Sequence, residues 1–143
     1  MIASEDVGNA MTPGSHGSTF AGNPLAMAVA EAVLDELSKL GFLEDVRRRA
    51  ALLCDALERI AARHPDRIHE VRGRGFLRGV RIADGFDAGA IVAAMRDARL
   101  LTAPAGENTV RFLPPLIISE DEIRHAADTF ETILAAAQPA MDT

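Results

Sequence analysis

The stretch from Arg67 to Phe112 constrains the fold of this chain more than any other. It carries two pairs of short strand patterns. Arg67–Arg72 is followed by Phe76–Ile82 across Gly73-Arg74-Gly75, and Leu100–Ala103 is followed by Thr109–Phe112 across a turn at Pro104–Asn108. In Phe76–Ile82, Phe76, Arg78, Val80 and Ile82 alternate with Leu77, Gly79 and Arg81, the period of a strand with two different faces. Arg67–Arg72 alternates less cleanly, because Ile68 and Val71 fall on opposite parity. Pro114-Pro115 ends the second pair, since neither residue can donate to a ladder.

Helical patterns surround these pairs. Asn23-Pro24 is a good start, with a side-chain cap followed by a proline that forfeits no bond. Leu25, Val29, Val33, Leu37 and Leu40 then recur at helical spacing, which predicts a buried face ending at Gly41. A second helix places Leu43, Val46, Ala50, Leu53, Leu57 and Ile60 on one side, and its run Arg47-Arg48-Arg49 reads as a solvated face. Asp87 caps a third helix with Ile91, Ala94, Met95 and Ala98 inward. Ser119 and Glu122 form a capping box for the last, whose inner face is Ile123, Ala127, Phe130, Ile133 and Leu134. Hairpin-like strand pairs with helices between them predict an α+β architecture, a small sheet with helices packed on one face.

Composition narrows the function classes. At 143 residues and 48% hydrophobic content, one domain with a modest core is expected. A net charge of −6 argues against nucleic-acid binding. Cys54, the only cysteine, reads as a small core residue and excludes a multi-cysteine metal site. No apolar run has the length of a membrane span and no signal-peptide pattern opens the chain, so the expected setting is cytoplasmic, without membrane or metal. GRGFLRG at Gly73–Gly79 is a poor match to a dinucleotide-binding fingerprint, because its glycines lie between strands and no helix opens after it.

Chemistry points to Gly14–Ala26, GSHGSTFAGNPLA, a loop of small residues and hydroxyls that runs into a helix. Small residues permit close backbone approach, and Ser18 and Thr19 add hydroxyls, a combination suited to an anion such as phosphate. A plain turn ahead of a helix uses the same residues. His16 in this loop reads as structural or solvated.

This loop, VRGRGFLRGVRI at Val71–Ile82, the Pro104-Ala105-Gly106 turn and VRFLPPL at Val110–Leu116 resemble, in the same order, landmarks of the class III (fold type I) aminotransferases that use pyridoxal phosphate. The chain is most similar to the acetylornithine and succinylornithine branch. The resemblance implies that residues 1–23 are an arm and cofactor-phosphate loop left over from the large domain. It implies that residues 24–143 are the C-terminal small domain. The family's Schiff-base lysine would lie upstream of Met1, so no catalytic residue is assigned and the chain alone is expected to be inactive. Lys39, the only lysine, lies outside any family lysine motif, and neither Asp35 nor Asp55 matches the aspartate that faces the cofactor ring.

Carried over residue by residue, Thr19 matches the position whose hydroxyl binds the cofactor phosphate, with Ser18 beside it. Arg111 matches the arginine that grips the substrate α-carboxylate, for which a planar guanidinium is suited. Without the resemblance, Arg111 is also readable as an edge-strand residue pointing to solvent. In the family the loop serves the partner subunit of a homodimer. The implied reaction moves the δ-amino group of N-acetylornithine to 2-oxoglutarate, in arginine biosynthesis. Ornithine and 4-aminobutyrate remain as other donors, and a non-catalytic dimerisation or interaction domain remains as another role. Many relatives carry glycine where this chain has Ala21, which matters only if that residue needs a positive φ.

Overall fold

A computed structural model of the chain describes residues 4–12, 14 and 17–139. Its contacts divide it into two compact units, Met1–Phe42 and Leu43–Thr143.

The first unit holds α1 (Glu5–Asn9) and α2 (Pro24–Ser38). The helix α1 was not expected from Met1–Thr12, which has no sustained apolar period. Ser4 stands at its N-cap position and Glu5 and Asp6 occupy its first turn, where carboxylates suit the exposed amides. In α2 the expected cap is present, with Asn23 Oδ1 accepting from Ala26 N at 2.9 Å. Gly41, at φ +83, follows the helix as anticipated. The face predicted to be buried is not. No residue of α2 is buried, and Leu25, Val29 and Val33 are more than half exposed. The periodicity was real, but the described residues of this unit, a five-residue helix and a loop besides α2, supply no second apolar layer.

The second unit starts with α3 (Phe42–Arg63), whose last turns lead through His64–Arg67 into the sheet. Strands β1 (Ile68–Arg74), β2 (Leu77–Ile82), β3 (Ala103–Ala105) and β4 (Thr109–Phe112) pair antiparallel in the order β1-β2-β4-β3. Helix α4 (Ala88–Asp97) carries the chain from β2 to the edge strand β3, and α5 (Glu120–Ala136) closes the unit. The strand β3 starts at Ala103 rather than Leu100. Pro104 within it is tolerated because β3 is an edge.

The parity conflict in β1 has a physical resolution. Ile68 pairs with Ile82 and Glu70 with Arg81, so His69 is an extra residue in a β-bulge. That extra residue turns both Ile68 and Val71 toward the core. Val80, Ile82, Val110 and Phe112 continue this inner face and meet Leu53, Leu57 and Ile60 of α3, Ile91 and Met95 of α4, and Ile123, Phe130 and Leu134 of α5. Phe112 and Phe130 meet edge to face, with ring centroids 5.3 Å apart. All three helices thus feed one core on one face of the sheet. In α4 the inward residues are Ala88, Ile91 and Met95, whereas Ala94 and Ala98 are exposed.

Several polar residues fasten the layers. Arg49 is buried rather than solvated, donating to the Ile118 carbonyl and pairing with Asp45. Arg67 donates to the carbonyls of Leu134 (2.6 Å) and Ala137 (2.9 Å) at the end of α5, while its guanidinium lies 4.9 Å from the Phe86 ring centroid. Cys54 is half-buried, beside Glu58, and burial raises its thiol above the usual range.

Asn108, in the turn before β4, ties the sheet to α4. Its Nδ2 donates to Phe86 O (2.8 Å) and Ile82 O (3.3 Å), and its Oδ1 accepts from Ala88 N (2.9 Å) at the start of α4. At φ +51 it also occupies a left-handed conformation that asparagine tolerates. Asn108→Ala should therefore lower stability by about 2–3 kcal/mol in denaturant melts, because it leaves partly buried backbone groups without partners. An unchanged midpoint would show that water replaces all three bonds.

Candidate active-site elements on two units

The glycine-rich loop folds as a turn before α2. Ala21 N donates to Ser18 O (3.3 Å), and Asn23 closes on Phe20 O through both its backbone and its side chain. Gly22, at φ +72, uses the freedom only glycine has at no cost, whereas Ala21 needs no positive φ and fits as alanine. Ser18 and Thr19 are exposed, and their hydroxyls form no hydrogen bond with the described residues. Both hydroxyls are therefore open to a ligand or to solvent. The residues from Gly17 to Asn23 include no lysine or arginine, so the loop offers hydrogen bonds rather than charge. Ser15 and His16 lie outside the described residues. Lys39 is exposed, and its ammonium pairs with Glu36 at 2.6 Å.

Arg111 lies on β4, between β2 and β3, so it is not an edge-strand residue. It points away from the core and is exposed, flanked in register by Gly79 on β2 and Ala103 on β3. Small neighbours on both sides leave its base uncrowded. Its guanidinium makes no hydrogen bond or ion pair with the described residues. On this outer face lies a depression of about 330 Å³, bordered by Arg72, Leu77, Gly79, Thr109 and Arg111.

Two of these residues were underestimated from sequence. Arg72, which ends the first strand pattern, pairs with Glu107 at 2.6 Å and Glu70 at 3.3 Å, and approaches the Thr109 hydroxyl at 3.4 Å. The bond from Arg72 holds the Glu107 carboxyl below its usual range. Arg72 lies over Gly79, where an added Cβ would stand 3.0 Å from Thr109 Cγ2 and 3.6 Å from Arg72 Cγ. The signal was available in the strand period, which puts Arg72, Gly79, Thr109 and Arg111 on one face once the registers are known.

A family model for "Aminotransferase class-III" matches residues 1–134. The chain belongs to the class-III aminotransferases. Acetylornithine aminotransferase 1 of Bradyrhizobium diazoefficiens is 47% identical over 136 residues, covering 95% of this chain and 33% of that protein. Among solved structures, acetylornithine aminotransferase from Elizabethkingia anophelis superposes with TM-score 0.78 at 33% identity, covering 94% of this chain and 34% of that one. Ornithine aminotransferase from Toxoplasma gondii superposes with TM-score 0.76 at 36% identity, covering 92% and 31%. This class-III chain thus spans about a third of the length of the curated relatives it matches. The α+β architecture expected from the sequence is the one these aminotransferases share. Among the described residues, no helix is long and apolar enough to cross a membrane, and no His/Cys/Asp/Glu group is placed to hold a metal ion.

Proposed function

We propose that this chain is the C-terminal part of a pyridoxal-phosphate-dependent transaminase that moves the δ-amino group of N-acetylornithine to 2-oxoglutarate. The observation that carries this reading is Arg111, whose guanidinium has no partner among the described residues and lies on an inner strand beside an open depression. A guanidinium so placed can bind a carboxylate through two parallel hydrogen bonds. Similarity to acetylornithine aminotransferases supports the choice of donor. When bound, the cofactor would supply an electron sink for the carbon that carries the amine. In this reading the chain's own residues bind and orient. Arg111 holds the α-carboxylate, while Thr19, with Ser18 beside it, hydrogen-bonds the cofactor phosphate, in a homodimer on the partner subunit's cofactor. Residues 1–23 belong to the large-domain arm and loop, and residues 24–143 form the small domain. The lysine that holds the cofactor is not among this chain's residues, and the chain alone does not turn over.

The test is a chimera in which this chain replaces the matching third of the Bradyrhizobium relative. It should retain cofactor and convert N-acetylornithine faster than ornithine or 4-aminobutyrate. A folded, cofactor-bearing chimera that prefers another donor would overturn the assignment. In the same chimera, Thr19→Ala should weaken cofactor retention by about ten- to a hundredfold, the loss of one hydrogen bond to a charged group. Excess cofactor should restore turnover. Retention equal to the parent's would remove Thr19 from the site.

A second reading is favoured by the exposed α2 face of Leu25, Val29 and Val33, which is the composition of an interaction surface. A non-catalytic dimerisation module would assemble on a sizing column and leave the chimera without turnover.

A further inference from the structure

The outer sheet face holds a second guanidinium beside Arg111. Arg72, Gly79, Arg111 and Ala103 form one cross-strand row over β1, β2, β4 and β3. Arg72 lies across β2 over Gly79: a Cβ at Gly79 would stand 3.0 Å from Thr109 Cγ2 and at ordinary contact distance from Arg72 Cγ (3.6 Å) and Nε (3.9 Å). The guanidinium thereby reaches Thr109 Oγ1 on β4, at 3.4 Å. Thr109 and Arg111 are two residues apart on one strand and share a face, so the two cationic groups border the same depression.

The carboxylates now on Arg72 are exchangeable. The Arg72–Glu107 pair is exposed on both sides, at 43% and 63%, and the Glu70 contact at 3.3 Å is equally open. Exposed pairs of this kind contribute little. Arg78, also at the rim, is committed to the carbonyls of Gly75 (2.9 Å) and Gly73 (3.0 Å). Arg72 is thus the guanidinium beside Arg111 that can exchange its partner for a ligand.

We propose that Arg72 is a second carboxylate-binding residue of the Arg111 site, lying over Gly79 and occupied by Glu107 until a substrate carboxylate displaces it. This rests on the reading of Arg111 as a carboxylate grip. It makes Arg72 a determinant of affinity for the carboxylate substrate, and makes Glu107 an internal competitor.

The test uses the 143-residue chain itself, isotope-labelled and titrated with 2-oxoglutarate while the Gly79 and Thr109 amides are followed by NMR. Saturable shifts are expected at both. Arg72→Gln should raise the dissociation constant about tenfold, and Glu107→Gln should lower it about threefold. Arg72→Lys should recover part of the loss, and far-UV circular dichroism should confirm that each variant folds. The opposite signs are diagnostic, because a pair that merely straps the turn to the sheet would weaken binding when either partner is removed. That result, no effect of either change, or no shift in the parent chain would overturn the proposal. If Arg111→Gln abolishes the shifts and Arg72→Gln does not weaken them, Arg111 keeps its role and Arg72 loses its own. If both arginines are needed and the chimera does not transaminate, the carboxylate site stands and the transaminase assignment falls.

Discussion

Gly73→Ala is expected to lower the stability of the Leu43–Thr143 unit by about 4 kcal/mol, enough to unfold much of it. Gly73 sits at φ +123, far from the backbone conformations open to alanine. A Cβ built there stands 2.1 Å from Leu77 O and 3.1 Å from Arg78 Cα, both backbone atoms that cannot swing away. Relief would require β1 and β2 to part where Gly73 pairs with Arg78, and Arg78 would lose its bond to Gly73 O. Gly75, two residues on, is the control. Its φ of +58 is left-handed and nothing lies within 4 Å of an added Cβ, so Gly75→Asn should cost less than about 1 kcal/mol. The chain contains no tryptophan or tyrosine, so circular dichroism is the probe for both melts. Similar losses for the two variants would mean that backbone strain, not the close approach of β2, makes Gly73 necessary.

That contrast marks where sequence reasoning stops. The tripeptide Gly73-Arg74-Gly75 announced a turn, but only pairing reveals that one glycine serves chain reversal and the other serves strand contact. Caps were legible because each depends on neighbours two or three residues away: Asn23, Asp87 and Ser119 all cap as expected. The β-bulge at His69 was present as a parity conflict between Ile68 and Val71, and resolving it required the partner strand. Burial in α2 failed for a different reason. Periodicity says that a face wants covering, and the covering layer must come from elsewhere. Arg49 failed in the opposite sense, because a run of three arginines has the look of a solvated face. The Ile118 carbonyl that receives Arg49 lies 69 residues away in the chain.

For the candidate site, the roles given to Thr19, Ser18 and Arg111 came from resemblance to the aminotransferases. What the residues alone implied was a hydroxyl-bearing loop and an arginine in an otherwise apolar strand. Arg72 was visible but unplaceable. Its nearness to the Arg111 strand depends on Gly79 lying between them in register, a relation spread over three strands.

Arg111→Ala is expected to separate activity from stability. The side chain is exposed and contributes no hydrogen bond within the described residues, so its removal should leave the melting midpoint within about 0.5 kcal/mol of the parent. In the chimera, kcat/KM for N-acetylornithine and for 2-oxoglutarate should fall by about a hundredfold or more, because a desolvated carboxylate loses both of its hydrogen bonds. Arg111→Lys keeps the charge but not the fork, and should still lose about tenfold. The α-amide of N-acetylornithine provides the complementary test. It should be a poor substrate for the parent, and replacing Arg111 should cost it little, because the charge that the arginine serves has already gone. If the amide and the acid lose equally when Arg111 is replaced, the arginine acts by holding β4 in place rather than by gripping substrate. An equal loss from Arg111→Lys and Arg111→Ala would show that the paired geometry, and not the charge, governs binding on this face of the sheet.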